Sequence, residues 1–190
     1  MEVLIFDHME QCTEAEVQRM LPLVSAQRRE QALRYKHTFG RFCCLKSWLM
    51  LFEQVAMSKY RDVEWQYNEH GKPFIEGGPY FSISHCKEGI AVAFDDQPIG
   101  IDIEAIRHAN EDLIERVMRE EEIRLIANSQ QPIADRTFTR LWTQKEAIVK
   151  AQGVGIMSFE QLQGIRSQES GFRIQTVEAE RYIYSVACKL

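Results

Sequence analysis

Two short segments contain the residues best suited to chemistry. In residues 100–104 (GIDIE), apolar and acidic residues alternate, so an extended strand would place both carboxylates on one face, about 7 Å apart. In residues 142–150 (WTQKEAIVK), Glu146 and Lys150 are four positions apart, and a helix would make them neighbours. Carboxylates that converge beside an ammonium group suit a divalent cation such as Mg²⁺ next to a phosphate. The two segments together therefore indicate phosphoryl-linked chemistry.

Each segment also has a purely structural interpretation. Asp102 and Glu104 could form the solvated face of an edge strand. Glu146 and Lys150 could form an ordinary i,i+4 ion pair worth about 0.3 kcal/mol. Taken alone, neither segment distinguishes these alternatives from a functional site, so their order, spacing and neighbouring residues must decide.

The surrounding sequence predicts the elements that would position these residues. Strands are expected at residues 1–7, 81–84, 90–94 and 99–104, with tight turns joining the last three into a meander. Helices are expected over residues 14–34, 41–57, 112–117 and 120–127, followed by a longer one over 134–152 that contains the second segment. Residues 172–176 and 182–187 alternate again as strands. Each half thus combines helices with a small antiparallel sheet, which predicts an α+β fold.

The two segments closely resemble the paired signatures of the 4′-phosphopantetheinyl transferases, in particular the surfactin-type branch. Two further segments fit the same pattern in the same order: residues 71–73 (GKP) and residues 81–85 (FSISH). The resemblance runs from about residue 28 to the C-terminus. It implies two similar lobes related by a pseudo-twofold axis, with coenzyme A in the cleft between them. We assign the lobe with the coenzyme A phosphate contacts to residues 1–97, and the lobe with the magnesium site and signature helix to residues 98–190.

The resemblance also implies a reaction and the residues that perform it. The phosphopantetheine arm of coenzyme A is transferred to a serine of an apo acyl or peptidyl carrier protein, and 3′,5′-ADP is released. Asp102, Glu104 and Glu146 match the magnesium-binding carboxylates, and Lys150 matches the lysine that reaches the diphosphate. Glu146 is expected to be the general base, directly or through a metal-bound water, and the sequence does not separate these two routes. The role of Lys145 stays open.

Other residues match positions that hold the phosphates of coenzyme A. These are Lys72, Ser84 and His85, with His85 at the 3′-phosphate. Arg41 matches a basic position on a helix near the nucleotide, and Arg28 is a weaker candidate for the 3′-phosphate. Both arginines lie within residues 28–46, where six basic side chains stand against a single acid; such a segment is where a polyphosphate ligand would be sought.

Composition excludes several other classes. The formal net charge of −5 argues against general binding to nucleic acid. No apolar run approaches the ~20 residues that span a membrane, and the acidic start lacks the basic region of a signal peptide. The five cysteines are odd in number and contain no C-x-x-C pair, which favours a reduced, cytoplasmic protein without structural zinc. We expect a monomer.

Two alternatives to an active transferase remain. A different magnesium-dependent phosphotransferase would need a nucleotide-binding loop of the type G-x-x-x-x-G-K-[ST], which the sequence lacks. A non-catalytic carrier-binding module on the same fold would be expected to have lost site residues, yet every matched position holds a competent side chain. For carrier docking, the sequence suggests an apolar patch flanked by Arg116 and Arg119, with core packing of the same residues as the alternative: Leu113, Ile114, Val117 and Met118.

Overall fold

The structure is a computed structural model that describes residues 1–60, 63, 65–155, 159–166 and 171–190. Its α-helices are, in chain order, α1 (Glu14–Met20), α2 (Ala26–Leu33), α3 (Thr38–Phe52), α4 (Val55–Ser58), α5 (Glu111–Val117), α6 (Glu120–Ala127), α7 (Ile133–Gln152) and α8 (Phe159–Gly164). Its strands are β1 (Glu2–Phe6), β2 (Gln66–Tyr67), β3 (Pro73–Phe74), β4 (Tyr80–Cys86), β5 (Gly89–Asp95), β6 (Ile99–Ala105), β7 (Phe172–Glu178) and β8 (Tyr182–Lys189). The predicted α+β class is confirmed.

The first sheet is antiparallel, with strand order β1-β5-β4. Strands β4 and β5 form a hairpin in which Cys86 pairs with Gly89. Helix α3 packs on this sheet because its buried face is strongly apolar, and it shares one core cluster with the strands. Within that cluster, Trp48 stacks close to Trp65 and meets Phe81 edge to face. The large aromatic side chains therefore fix the helices of the first half against the hairpin.

The second sheet has strand order β6-β8-β7, also antiparallel. In both sheets the first strand in sequence is separated from a hairpin by a run of helices, and the last strand lies in the middle. Helix α7 lies across the second sheet, contacting β6 and β8. The helix ends at Gly153, whose φ of 75° is a left-handed conformation that glycine adopts at little cost.

The sequence predicted most elements but joined one of them wrongly. Strands β4, β5 and β6 do not form a meander, because β6 pairs with β8 instead of β5. Strand β6 lies beside β4, the edge strand of the first sheet, but two serine side chains replace the ladder between them. Ser82 Oγ accepts from the Ile101 N–H at 3.1 Å, and Ser84 Oγ accepts from the Ile103 N–H at 3.3 Å.

Two predicted helices also have different limits. The helix expected over residues 14–34 is interrupted, because Pro22 lies in a 3₁₀ turn (Leu21–Leu23) and Ser25 caps a new helix by accepting from the Arg28 N–H. The helix expected over residues 41–57 begins earlier, at Thr38, and is followed by the separate short helix α4. Among the described residues, no helix is long and apolar enough to cross a membrane.

Candidate active site

The site forms where β6 crosses α7, and a glycine makes that crossing possible. A Cβ atom at Gly100 would collide with the backbone of α7, at the Ala147 carbonyl oxygen and the Ala151 nitrogen. Because backbone atoms cannot move aside as a flexible side chain can, Gly100 allows the strand and the helix to touch directly. Their contact brings Asp102 on the strand next to Lys150 on the helix.

Asp102 has two oxygens in different environments. Its Oδ1 accepts from Lys150 Nζ at 2.6 Å and from Ser84 Oγ at 2.8 Å. Its Oδ2 is buried and has no hydrogen-bond partner among the described residues. An unpartnered buried carboxylate oxygen is costly, so this atom marks a position where a cation would be stabilised.

Glu146 and Glu104 are electrostatically coupled to Asp102. Burial, followed by the negative charge of Asp102, raises the pKa of Glu146 to about 7. The same two causes raise the pKa of Glu104. The positive charge of Lys150 opposes both shifts. The three sequence-predicted carboxylates therefore lie close enough to repel one another, yet within the described residues no set of three acidic, histidine or cysteine side chains is assembled in metal-binding geometry.

Lys72 joins the turn between β2 and β3 to the crossing. Its ammonium donates to the Ile99 carbonyl at 3.0 Å and to the Lys150 carbonyl at 2.5 Å. Asn68 holds the same turn by donating to the Gly153 carbonyl at 2.7 Å and accepting from the Lys72 N–H. Burial and the positive charge of Lys150 lower the pKa of Lys72 to about 8. Asparagine is a common turn residue because its side chain bonds to nearby backbone, but nothing in the sequence indicates the bond from Asn68 to the end of α7.

A cleft of about 250 Å³ opens between the two halves at this point. Lys72 and Phe81 line it from the first half, and Glu146 and Lys150 line it from α7. His85 lies nearby, at the exposed end of β4, where its ring meets that of Phe39 edge to face at 5.7 Å. Atoms packed around the ring and the positive charge of Lys150 lower the pKa of His85. Predicted residues from both halves of the chain thus surround one cleft.

The comparisons with known proteins fit this geometry. Residues 98–187 match the 4′-phosphopantetheinyl transferase superfamily. The chain is 30% identical over 151 residues to 4′-phosphopantetheinyl transferase Sfp of Bacillus subtilis (strain 168), which covers 76% of this chain and 66% of the relative. It is 29% identical over 150 residues to 4′-phosphopantetheinyl transferase ffp of Bacillus subtilis, with the same coverage.

Residues 98–187 of the chain belong to the 4′-phosphopantetheinyl transferase superfamily. A third relative, 4′-phosphopantetheinyl transferase gsp of Aneurinibacillus migulanus, is 30% identical over 136 residues, which cover 70% of this chain and 57% of the relative. The chain therefore spans less than two thirds of the length of each of these three relatives. The superfamily match includes the carboxylates and Lys150, whereas the phosphate-binding candidates Lys72, Ser84 and His85 precede it.

The structure decides three points that the sequence raised, and the first concerns Arg28. The Arg28 side chain is buried and donates twice to the Cys44 carbonyl, at 2.9 and 2.6 Å. Its guanidinium also lies 4.5 Å from the ring centroid of Trp48. Arg28 is therefore part of the core of the first half, and its candidacy for the 3′-phosphate is wrong. Arg41 lies on the surface at the start of α3, where it donates to the Tyr35 carbonyl and pairs with Glu14 at 3.6 Å.

The second concerns Lys145, whose role the sequence left open. Its side chain is 1% exposed and forms an ion pair with Glu122 on α6 at 2.7 Å. Its ammonium also donates to the carbonyls of Val117 and Leu162, at 2.9 and 3.1 Å. Lys145 therefore ties α5, α6 and α8 to α7, on the side of the helix away from the cleft.

The third concerns the proposed apolar docking patch. Val117 and Met118 are completely buried, and Leu113 and Ile114 are half-buried against the same cluster. The core-packing alternative is therefore correct for Val117 and Met118, because helix α5 turns its apolar side toward α7 and α8.

The cysteines behave as expected of packing thiols: all five are free, and burial raises the pKa of Cys43 to about 12, far from that of a nucleophile.

Proposed function

We propose that this protein transfers the 4′-phosphopantetheine arm of coenzyme A to a serine hydroxyl of an apo acyl or peptidyl carrier protein and releases 3′,5′-ADP. One observation supports this most strongly: Asp102, Lys150 and Glu146 meet at the crossing of β6 and α7, inside the segment that matches the superfamily. A buried carboxylate, an ammonium and a carboxyl group of raised pKa are the groups that attack on a phosphorus centre requires.

In this proposal Asp102, Glu104 and Glu146 hold Mg²⁺. Their oxygens are the donors that this cation prefers, and magnesium needs only one or two protein carboxylates when substrate phosphates complete its shell. The unpartnered Oδ2 of Asp102 and the mutual repulsion of the three carboxylates fit a bound cation. When bound, the ion would neutralise negative charge on the diphosphate.

The chain's own residues would then divide the work of the reaction. Glu146 accepts the proton of the carrier serine as general base, either directly or through a water. The serine oxygen forms a bond to the β-phosphorus of coenzyme A as the bond from that phosphorus to the bridging oxygen breaks. Lys150 lies where its ammonium can stabilise the departing 3′,5′-ADP.

The remaining predicted residues would bind coenzyme A. We propose that Lys72, Ser84, His85 and Arg41 contribute to its phosphate sites, with His85 at the 3′-phosphate. The cleft of about 250 Å³ is small for a whole ligand site, so it would take the diphosphate region while the rest of coenzyme A extends over the surface. All four residues belong to the first half of the chain, and three of them approach a helix of the second.

We further propose that residues 1–97 and 98–190 are two lobes related by a pseudo-twofold axis. The support is topological: when the strands of each three-stranded sheet are numbered in chain order, β1-β5-β4 and β6-β8-β7 both have the order 1-3-2. The five free thiols support a reducing compartment, the cytoplasm. We also propose that the protein acts as a monomer.

A direct assay tests the proposal and its main alternative. The protein would be incubated with coenzyme A, Mg²⁺ and a panel of apo carrier proteins from fatty-acid, polyketide and peptide synthesis, and the carriers weighed by mass spectrometry. A mass gain of one phosphopantetheine group, with release of 3′,5′-ADP, is expected. Carrier binding without any mass gain would instead support a non-catalytic carrier-binding module.

A further inference from the structure

Ser84 lies at the centre of the hydrogen bonds that connect the two halves at the site. Its hydroxyl donates to Asp102 Oδ1 at 2.8 Å and accepts from Lys150 Nζ at 3.0 Å and from the Ile103 N–H at 3.3 Å. A serine hydroxyl has one donor and two acceptor positions. All three are in use, and the side chain is only 7% exposed. Ser84 therefore has no remaining capacity to bind a phosphate unless one of these bonds breaks.

The consequence is felt at Asp102. Both donors to this carboxylate, Ser84 and Lys150, bind the same oxygen, Oδ1, and also bind each other. The resulting triangle fixes the rotation of the carboxylate and leaves Oδ2 buried without a partner. Without the Ser84 hydroxyl, no side chain of β4 would hold the Asp102 carboxylate against rotation. The ammonium of Lys150 could then donate to either oxygen of Asp102.

We propose that Ser84 is a positioning residue: it holds Asp102 Oδ1 against Lys150, so that Oδ2 stays available to the metal ion. The inference rests on the proposed magnesium site and gives Ser84 a second task beside the phosphate contact proposed above. A residue that orients a metal ligand typically changes metal affinity 10- to 100-fold when it is lost, although it never touches the ion.

The neighbouring Ser82 provides a matched control. It lies two residues earlier on the same face of β4, is equally buried, and accepts from the Ile101 N–H in the same way as Ser84 does from that of Ile103. Ser82 forms no hydrogen bond with Asp102 or Lys150. Removing either hydroxyl thus deprives one strand N–H of its acceptor, but only the loss of Ser84 releases the carboxylate.

The test is a titration with Mn²⁺, a cation with the same preference for oxygen ligands as Mg²⁺, followed by electron paramagnetic resonance in the presence of coenzyme A. Ser84→Ala should weaken Mn²⁺ binding about 10- to 100-fold, whereas Ser82→Ala should bind it as the wild type does. Both variants should lose similar thermal stability. Ser84→Thr and Ser84→Val, which share one shape and differ only in the hydroxyl, should separate in the same direction, with Thr the tighter.

The outcomes distinguish this inference from the proposed function. If the wild type binds Mn²⁺ and both Ser84→Ala and Ser84→Val bind it equally well, the positioning role is wrong while the magnesium site stands. If the wild type itself binds no Mn²⁺, the magnesium site fails and the inference falls with it.

Kinetics with coenzyme A and dephospho-coenzyme A provide a second criterion. A positioning role predicts a lower kcat and the same penalty on both substrates. A penalty confined to the KM for coenzyme A would assign Ser84 to the 3′-phosphate and overturn the proposal.

Discussion

Two lysines on α7, five residues apart, form ion pairs that differ in burial and in how fully their partners are hydrogen-bonded. Lys145 is 1% exposed, and its three N–H donors are matched by Glu122 and two backbone carbonyls. Its partner Glu122 is buried as well, at 5% exposed, and accepts a second hydrogen bond from the Arg119 N–H. Lys150 is 29% exposed on its side chain and pairs with Asp102, whose second oxygen has no partner among the described residues.

The difference separates a complete ion pair from an incomplete one. A buried ion pair is tolerated only where hydrogen bonds satisfy both members, and among the described residues neither Lys145 nor Glu122 has a buried side-chain polar atom without a partner. In the pair of Lys150 and Asp102, one buried carboxylate oxygen of Asp102 has no partner among the described residues. Next to this pair, burial and the negative charge of Asp102 raise the pKa of Glu146. An incomplete pair at the edge of a cleft indicates that further ligands complete it.

The largest expected effect comes from breaking the complete pair. Lys145→Met leaves the Glu122 carboxylate buried without its counterion, which should lower the free energy of unfolding by about 3–5 kcal/mol. Urea unfolding followed by circular dichroism would measure it. The double variant Lys145→Met with Glu122→Leu removes both charges and should recover much of the loss. If the single variant is as stable as the wild type, the pair contributes nothing and the contrast between the two lysines fails.

Breaking the incomplete pair should instead affect the reaction. Asp102→Asn and Glu146→Gln keep the shape of the site but remove a negative charge, and each should lower kcat by at least about 100-fold, as expected when charge stabilisation in the transition state is lost. Chelation of divalent cations with EDTA should abolish transfer in the wild type. Both variants should still fold, because each change removes one charge from three carboxylates that repel one another; thermal unfolding checks this. Full activity in EDTA would contradict the proposed mechanism.

The sequence predicted the residues of the site better than their surroundings. Alternation in residues 99–104 and the helical spacing of Glu146 and Lys150 were enough to place the acidic and basic groups on a strand and a helix. Family resemblance then connected them, although they lie forty residues apart. Neither pattern contains the crossing itself, which depends on Gly100 and on a direct backbone contact with α7.

What the sequence could not show is which direction a charged or apolar side chain faces. Arg28 lies in a basic segment, yet it faces the core, where its guanidinium contacts two tryptophan rings and donates to the Cys44 carbonyl. Val117 and Met118 have the spacing of a docking surface and of a core face alike, and their burial decides between them. The pairing of β6 was predicted wrongly for a similar reason. Ser82 and Ser84 look like ordinary strand residues, and the sequence does not show that their hydroxyls accept hydrogen bonds from β6.

A smaller effect is expected at His85, outside the reacting centre. If its ring binds the 3′-phosphate, His85→Ala should raise the KM for coenzyme A by about 10-fold while changing kcat little, because only uniform binding is lost. Dephospho-coenzyme A should show almost no penalty, since it lacks that phosphate. Measuring both substrates with both proteins completes a double-mutant cycle. Equal penalties on the two substrates would place the 3′-phosphate elsewhere, and Phe39→Ala would then test whether the ring contact alone accounts for the effect.

The smallest effect should appear in the pH dependence of Lys72, whose pKa of about 8 lies below its ordinary value of 10.5 because of burial and the charge of Lys150. As the pH rises from 7 to 9, the ammonium loses its proton, so kcat/KM for coenzyme A should fall, by about 10-fold at most, if Lys72 binds a phosphate. Lys72→Arg stays charged over this range and should show a flatter profile.

Stability should change in the opposite direction over a neighbouring range. Between about pH 8 and pH 10.5 the unfolded chain holds a proton on Lys72 that the folded protein has released, so the free energy of unfolding should rise with pH relative to Lys72→Arg. Urea unfolding at pH 8 and pH 10 measures this difference. A fall in coenzyme A binding together with a gain in stability would identify Lys72 as a group whose charge opposes folding and is retained for its ligand. If neither quantity differs between the two proteins, its ammonium serves only the two carbonyls that it contacts.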